Sequence, residues 1–266
     1  MLRDITIGQY YPVDSYIHSL DPRTKLVCTV LYLVSLFLFK NFVGFILAFL
    51  YLAGSIKISR VPLKFMLKGL RAVMMLLMIT VLFNLFLTTG TVIWSWWIFK
   101  VTQEGLHNAV FMAVRLVFLI LGASVMTLTT TPNSLTDGLE SLLGPLRRIH
   151  VPVHEIAMMM SIALRFIPIL MEETNKIMKA QSARGADMDS GNLFQRIKAM
   201  VPILIPLFVS AFRRANDLAM AMEARCYQGG DGRTRMKPLK YGRRDYTAYI
   251  VTIIYLAGVI IVGKLF

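Results

Sequence analysis

The chain has few acidic residues and very little cysteine. Its 266 residues include 15 Asp and Glu against 29 Lys and Arg, which gives a formal net charge of +14. Two cysteines cannot build a disulfide framework. In a soluble protein such a positive charge suggests nucleic-acid binding, but 56% of the residues of the whole chain are apolar. We therefore interpret the basic residues as the flanks of membrane spans and expect no nucleic-acid partner.

Charged residues are nearly absent from several long apolar runs. These runs predict an all-α integral membrane protein with about five transmembrane helices. The first 25 residues are polar, so we expect insertion to rely on the internal spans rather than on a cleavable signal peptide. The predicted spans are 26–39, 42–56, 72–87, 109–128 and 246–262.

The distribution of positive charge predicts the topology of these spans. Residues 26–39 and 42–56 are each short for a bilayer, so they form either one long span or a hairpin of two. A hairpin is favoured because it places the basic N-terminal arm and the basic loop 57–71 on the same, cytoplasmic side. The loop 88–108 is almost uncharged and contains three tryptophans, which predicts an outside loop with an interfacial aromatic belt. We expect a multi-pass protein of the cell membrane with a cytoplasmic N-terminus.

Most of the remaining charge lies between the fourth and fifth spans. We therefore divide the chain into 1–128, which holds the N-terminal arm and transmembrane helices 1–4, a cytoplasmic helical domain at 129–245, and a C-terminal transmembrane helix at 246–266. Within the cytoplasmic domain, the spacing of apolar residues and the helix-stopping glycines predict two long helices, at about 152–184 and 193–225.

Both long helices are predicted to end in the same short motif. Ala183-Arg184-Gly185 closes the first helix, and Ala224-Arg225-Cys226 closes the second. A single arginine at a helix C-terminus is explained by the helix dipole, which favours it by about 0.3–1 kcal/mol. Two copies on paired helices instead favour partner binding, because arginine offers a forked donor and its small neighbours allow close approach. The second helix also carries an apolar stripe suited to a partner's groove: Leu204, Phe208, Ala211, Ala215, Leu218 and Met222.

The predicted spans contain no Asp, Glu, Lys or His, and Arg115 is their only charge. Ion pathways and proton relays place ionisable groups at mid-membrane, so the spans do not indicate a pump or an ion carrier. We expect Arg115 to tie helices together through backbone carbonyls.

No motif in the chain predicts a catalytic, cofactor or metal site. Residues 258–264 imitate a phosphate-binding loop, G-x4-G-K, but leucine replaces the required Ser or Thr and the segment lies in a predicted span. His150 and His154 are four residues apart, but Pro152 separates them and the zinc-protease glutamate is missing.

Four stretches carry a family resemblance that extends over nearly the whole chain. They are GQYYPVDSYIHSLDPRTKL, TPNSLTDGLESLLGPL, ALRFIPILMEETNKIMKAQSARGAD and MEARCYQGG. With them the sequence resembles the transmembrane (T) component of energy-coupling factor (ECF) transporters, which are ABC-type importers of vitamins and trace metals in prokaryotes.

The resemblance implies a coupling role without enzymatic activity. Residues 129–245 would form a coupling domain with two long coupling helices. Two cytoplasmic ABC ATPase subunits would bind these helices, with Arg184 and Arg225 inserted one into each subunit, and the small residues Ala183, Gly185, Ala224 and Cys226 beside them. A separate substrate-binding membrane S component would deliver the vitamin or other micronutrient, and ATP hydrolysis in the partners would reorient it in the membrane lipid.

Three alternatives remain open at this point. A cobalt- or nickel-specific version of the same T component would share all these features. A secondary transporter would move substrate without ATPase subunits. An integral membrane enzyme acting on lipid would need clustered acid–base groups at the membrane surface, for which the candidates are Asp137, Glu140, His150, His154 and Glu155.

Overall fold

The computed structural model describes residues 10–39, 41–96, 99–185, 193–230, 236 and 238–265. This part of the chain contains eight α-helices, one short 3-10 helix at Gly144–Ile149 and two short strands. The helices are α1 (Pro22–Leu38), α2 (Phe42–Ser59), α3 (Leu63–Leu87), α4 (Gln103–Thr129), α5 (Pro132–Leu143), α6 (Val153–Ala183), α7 (Leu193–Glu223) and α8 (Arg243–Leu265).

The chain forms two compact units. The bundle unit consists of the described residues within Gly8–Leu142 and Pro238–Phe266, and so holds α1 to α4, most of α5, and α8. The helix-pair unit consists of the described residues within Leu143–Lys237 and holds α6 and α7. The predicted division at residues 129 and 245 stays a prediction.

The helices are long and apolar enough to support the predicted membrane fold. Among the described residues, four helices can cross a membrane by length and composition, namely α2, α4, α6 and α8. Helix α3 adds a fifth span if its two parts, which meet at an angle of 61° between Arg71 and Val73, are counted as one. The all-α membrane fold is therefore confirmed. Helix α6 meets the criterion although the sequence predicted it outside the membrane, whereas α1, with 17 residues, is slightly shorter than these spans.

Helices α1 and α2 form the predicted hairpin. Asp21 caps α1, since its side chain accepts a hydrogen bond from the Arg23 backbone N–H at 2.9 Å, and Pro22 occupies the first helical turn. Helix α1 ends before Phe39 and α2 begins at Phe42, so only three residues separate them. The short connection confirms the hairpin that the charge pattern favoured.

A network of polar groups fixes the end of the bundle where α1 begins. The Lys25 side chain is only 7% exposed, and its Nζ donates to the carbonyls of His18 at 3.0 Å and Thr129 at 2.8 Å. The Asp245 carboxylate, at the start of α8, accepts from the Asp21 backbone N–H at 2.8 Å. The arm, α1, α4 and α8 are thus joined at one place. These acceptors satisfy the buried Lys25 ammonium within the chain.

Asp21 is charged in this network. Burial raises the pKa of its carboxyl, but hydrogen bonds from Arg23 and the positive charges of Arg23 and Lys25 outweigh burial and hold that pKa below its ordinary value. The contribution of Asp21 to stability is therefore present above its unfolded-state pKa and is lost only as the pH falls through the lower folded-state value.

The centre of the bundle is packed with aromatic rings from four helices. Phe39, Phe45 and Phe111 are buried together, with ring centroids 5.1 Å apart for Phe39 and Phe45 and 4.6 Å for Phe45 and Phe111. Tyr51 and Tyr255 stack at 4.6 Å. The outer faces of the bundle are apolar and exposed, as at Met75, Leu87 and Ile254, and this is the surface that a lipid environment requires.

Arg115 lies where the hairpin turns. Its Nη2 donates to the carbonyl of Phe39, the residue that follows α1, at 3.2 Å. Its guanidinium also lies over the rings of Phe111 and Phe37, 4.8 and 5.2 Å from their centroids. The hypothesis that Arg115 ties helices together through a carbonyl is confirmed, because it satisfies an acceptor that the end of α1 leaves open.

The loop between α3 and α4 contains regular secondary structure. Strands β1 (Val92–Trp96) and β2 (Phe99–Thr102) pair antiparallel between α3 and α4. The sequence analysis did not predict them. Trp97 lies outside the described residues, and the predicted aromatic belt stays a prediction. Thr102 ends the hairpin and caps α4 by accepting from the Gly105 N–H at 3.1 Å.

Replacing Arg115 by methionine should ease membrane insertion but weaken packing of the inserted bundle. Transferring the charged Arg115 into the membrane costs free energy during insertion. The hydrogen bond from Arg115 to the Phe39 carbonyl forms only when the inserted helices pack against each other. We expect a loss of about 1–2 kcal/mol in unfolding free energy, measured by titration of the purified protein with a denaturing detergent. The control is Arg71→Met, which removes an exposed arginine in α3. Equal stability of the two variants would contradict the tie.

Candidate partner-binding site

The two long helices end almost where the sequence predicted. Helix α6 runs over Val153–Ala183 and α7 over Leu193–Glu223, and each has 31 residues. Both contain proline without ending there. The two helices therefore share both their length and the motif at their ends.

Both endings use the same backbone stop. The residue after each arginine has a left-handed backbone, with φ of +87° at Gly185 and +55° at Cys226. Behind it, the Gly185 N–H donates to the Ser182 carbonyl at 3.0 Å, and the Cys226 N–H donates to the Glu223 carbonyl at 2.8 Å. A left-handed residue at this position is the common way to end a helix. Each arginine is therefore held at a defined turn.

Structure and sequence agree on the accessibility of the predicted site. All six residues of the two motifs are exposed, including both arginines. A helix C-terminus carries a partial negative charge, which stabilises a cation there without consuming its hydrogen bonds. A partner that offers carboxylates or carbonyls can thus be reached by both guanidinium groups. The assignment of these six residues to partner binding stays a prediction.

The helix pair is antiparallel. The Gln181 side chain donates to the Pro202 carbonyl at 3.4 Å, and the Arg214 guanidinium pairs with Glu173 at 3.4 Å. Moving forward along α6 from one contact to the other therefore means moving backward along α7. From Glu173 to Arg184, and from Arg214 to Arg225, the chain advances 11 residues in opposite directions. At 1.5 Å per residue this places the two motifs about 30 Å apart.

Helix α7 exposes a second apolar face that the sequence analysis missed. The residues of this face follow one another at intervals of three and four. The face begins at Phe194, before the first residue of the predicted stripe. Of that predicted stripe, Ala211, Leu218 and Met222 are partly buried, while Leu204 and Phe208 are exposed. The side chains of the exposed face are 44–80% exposed: Phe194, Ile197, Val201, Ile205, Phe208 and Phe212.

Other sequence features have structural explanations. Residues 258–264 lie inside the continuous helix α8, so they do not form the loop that phosphate binding requires. No group of three or more His, Cys, Asp or Glu among the described residues could hold a metal ion. The residues proposed for a lipid-modifying enzyme are divided between the two compact units: Asp137 and Glu140 belong to the bundle unit, and His150, His154 and Glu155 to the helix-pair unit.

The helices and their apolar outer faces define a multi-pass membrane protein that also contains a pair of long helices. A comparison with known families matches residues 14–237 to the CbiQ family, described as cobalt transport protein. The match covers most of the chain. The chain belongs to this family of transport proteins.

Curated relatives are similar over the full length. The chain is 56% identical over 256 residues to the energy-coupling factor transporter transmembrane protein EcfT of Clostridium kluyveri, covering 96% of this chain and 95% of the relative. It is 52% identical over 266 residues to the protein of that name from Ruminiclostridium cellulolyticum, covering 100% of both. For the Bacillus subtilis protein the identity is 48% over 261 residues and 98% of both. The resemblance to an ECF transporter T component is confirmed.

The shared backbone stop predicts opposite effects of glycine at its two copies. Gly185→Ala should destabilise the helix end by about 1 kcal/mol, because a Cβ disfavours the left-handed backbone. Cys226→Gly should stabilise the second copy by a similar amount. Thermal unfolding of the purified variants measures both. Gly144→Ala is the control, since open space surrounds its Cβ position and its φ is not left-handed. Shifts of equal sign at the two positions would contradict a common stop.

Proposed function

We propose that this chain is the transmembrane coupling subunit of an ATP-driven ECF importer for a vitamin or other micronutrient. Two ATPase subunits on the cytoplasmic side bind the ends of α6 and α7, and a separate substrate-binding membrane S component docks on the chain. The observation that carries this proposal is the pair of exposed arginine motifs at opposite ends of one antiparallel helix pair. The full-length similarity to ECF transmembrane proteins supports it.

The distance between the motifs favours two receptors rather than one. A single groove on one small domain does not reach both ends of a helix pair about 30 Å apart. Two copies of an ATPase subunit provide two equivalent grooves, each of which takes one arginine and the small residues beside it. The arginine then pairs with acceptors in the groove, and this makes it a strong candidate for a binding hot spot.

The exposed face of α7 favours a membrane partner. Six large apolar side chains at helical spacing form a patch of the kind that marks interaction sites. A face of this chemistry matches the apolar surface of a membrane protein better than the polar surface of a soluble ATPase. We therefore assign the helix ends to the ATPase subunits and the face from Phe194 to Phe212 to the S component.

Motion of the ATPase subunits would reach the S component through the helix pair itself. When the two grooves move together or apart, both ends of the pair are displaced. The Glu173–Arg214 ion pair and the Gln181–Pro202 contact hold the helices to each other. A displacement at the arginines is therefore passed along α7 to its apolar face, which turns the docked partner. In this mechanism ATP hydrolysis belongs to the partners, and this chain carries no catalytic residue.

Arg184→Ala and Arg225→Ala should each weaken ATPase binding about 30-fold, as expected for loss of about 2 kcal/mol at a hot spot. The double variant should bind more weakly than either single one. Co-purification of the full chain with the ATPase subunits and substrate uptake in vesicles are the two measurements. The control is Arg165→Ala, which removes an exposed arginine within α6. Normal binding and uptake by the double variant would refute the role of the arginines.

Labelling of Cys226 tests on which side of the membrane the helix pair lies. Helix α6 is apolar enough to span, and if it did, Cys226 would lie on the opposite side from the N-terminus. We propose that it does not span, because its second half is strongly charged. The charged residues there are Glu172, Glu173, Lys176 and Lys179.

In a Cys28→Ser background, Cys226 should react with an impermeant maleimide only after the cells are opened. The Cys226 side chain is exposed, so lack of reaction in intact cells cannot result from burial. A cysteine introduced at Gly90, in the loop between α3 and α4, is the control and should react from outside. Labelling of Cys226 in intact cells would refute the proposed orientation.

A further inference from the structure

Two hollows adjoin at the end of the bundle where α1 and α8 begin. The first is an apolar, partly open cavity of about 170 Å³ lined by the N-terminal arm and by α1, α2, α4 and α8. The second is a wider cleft of about 740 Å³, bounded by the N-terminal arm, the end of α2 and the start of α8. Tyr16 and Ile58 line both, so the two hollows are neighbours. We call the second one the basic cleft.

The basic cleft has a positive excess. Lys57, Arg60 and Arg244 line it, against a single carboxylate, that of Asp14. His18 also lines it, but burial lowers the pKa of this side chain, so it is neutral at pH 7. The C-terminus of α2 and the N-terminus of α8 contribute about half a charge each, of opposite sign, and these cancel. The net charge of the cleft is therefore about +2, which selects for an anion.

The three cations of the basic cleft retain donors that can bind a ligand. Arg244 is fixed by a hydrogen bond from its Nη1 to the Ser19 hydroxyl at 2.8 Å and lies over the Tyr16 ring. Within the described ranges, Lys57 and Arg60 form no hydrogen bond or ion pair, and both are exposed. Two donors are thus free to meet a ligand beside one that is already oriented. Arginine and lysine side chains in such a group are typical of phosphate recognition.

The neighbouring cavity has a mainly apolar lining, which favours an apolar group of a ligand. Its walls include Leu20, Leu52, Val125 and Val251. The ammonium of Lys25, which also borders it, is already bonded to the carbonyls of His18 and Thr129. A hydrocarbon group that enters this apolar lining is removed from water, which is favourable in proportion to the apolar area buried.

We propose that one anionic phospholipid of the surrounding bilayer binds at this place, with its phosphate in the basic cleft and part of an acyl chain in the apolar cavity. A phospholipid is the ligand class that joins an anion to a hydrocarbon chain, and a membrane-spanning bundle is always in contact with it. Clustered basic residues beside membrane helices recognise anionic headgroups in this way. The bound lipid links the arm to α2 and α8.

Native mass spectrometry of the full chain in neutral detergent tests the headgroup part. The probes are phosphatidylglycerol and phosphatidylcholine. The cleft variant combines Lys57→Gln, Arg60→Gln and Arg244→Gln. The control variant combines Lys64→Gln, Arg71→Gln and Arg243→Gln, which removes the same charge from exposed residues that do not line the cleft. At about fivefold per charge, the cleft variant should bind phosphatidylglycerol at least tenfold more weakly, while the control changes less than threefold. Equal losses in the two variants would overturn the proposal in favour of diffuse surface attraction.

A second pair of variants tests the acyl chain. Ala248→Phe places a ring in the apolar cavity, whereas Ala257→Phe adds the same ring on an exposed face of α8. Only the first should weaken phosphatidylglycerol binding, by about tenfold. No change with Ala248→Phe in a folded, monodisperse protein would overturn the acyl-chain placement.

Competition with inorganic phosphate identifies the source of the anion. The lipid proposal expects millimolar phosphate to leave phosphatidylglycerol bound to the unmodified chain, because phosphate cannot fill the apolar cavity. Displacement at equal concentrations would overturn the proposal and assign a free-phosphate site. These measurements use the chain without its transport partners, so their outcome is independent of the proposed coupling function.

Discussion

The structure of the bundle depends on one buried ammonium group. Lys25 lies where water is largely excluded, so its donors must find acceptors within the chain. It finds them in the arm, at His18, and at the end of α4, at Thr129. Through these bonds, and through Asp245 on the backbone of Asp21, the start of α1 becomes the point at which arm, α4 and α8 meet. The hollows beside it exist because these elements are held there.

Local features of the chain were readable from the sequence, because their causes lie within a few residues. The helix stops beside Arg184 and Arg225 follow from backbone preferences that act over one turn. The hairpin of α1 and α2 followed from charge alone, since a bilayer penalises misplaced cations strongly. The carbonyl partner of Arg115 was also expected in kind, because a charge in a span must find an acceptor.

Features that depend on distant residues were not readable in this way. The burial of Lys25 requires an acceptor from α4, 104 residues away along the chain, and no local pattern indicates it. The apolar face of α7 was detected only in part, because the periodicity does not show which of several apolar stripes faces a neighbour. Both Ala-Arg motifs of the candidate site could be predicted from the sequence. Their exposure could also be expected, because they lie at helix ends. Their separation needed the antiparallel contacts between α6 and α7.

The antiparallel order of α6 and α7 has a geometric consequence. Two helices of 31 residues each, with alike endings and opposite directions, are related by an approximate two-fold axis between them. In the proposed complex, this arrangement presents two equivalent helix ends to two identical ATPase subunits, as a homodimer would. The two helices are not identical, since Gly185 follows one and Cys226 the other. Their exposed apolar faces also differ: α7 exposes Phe194, Ile205 and Phe212, and α6 exposes Ile156, Met160 and Ile167. In that complex, equal displacements of the two helix ends act on two different apolar faces.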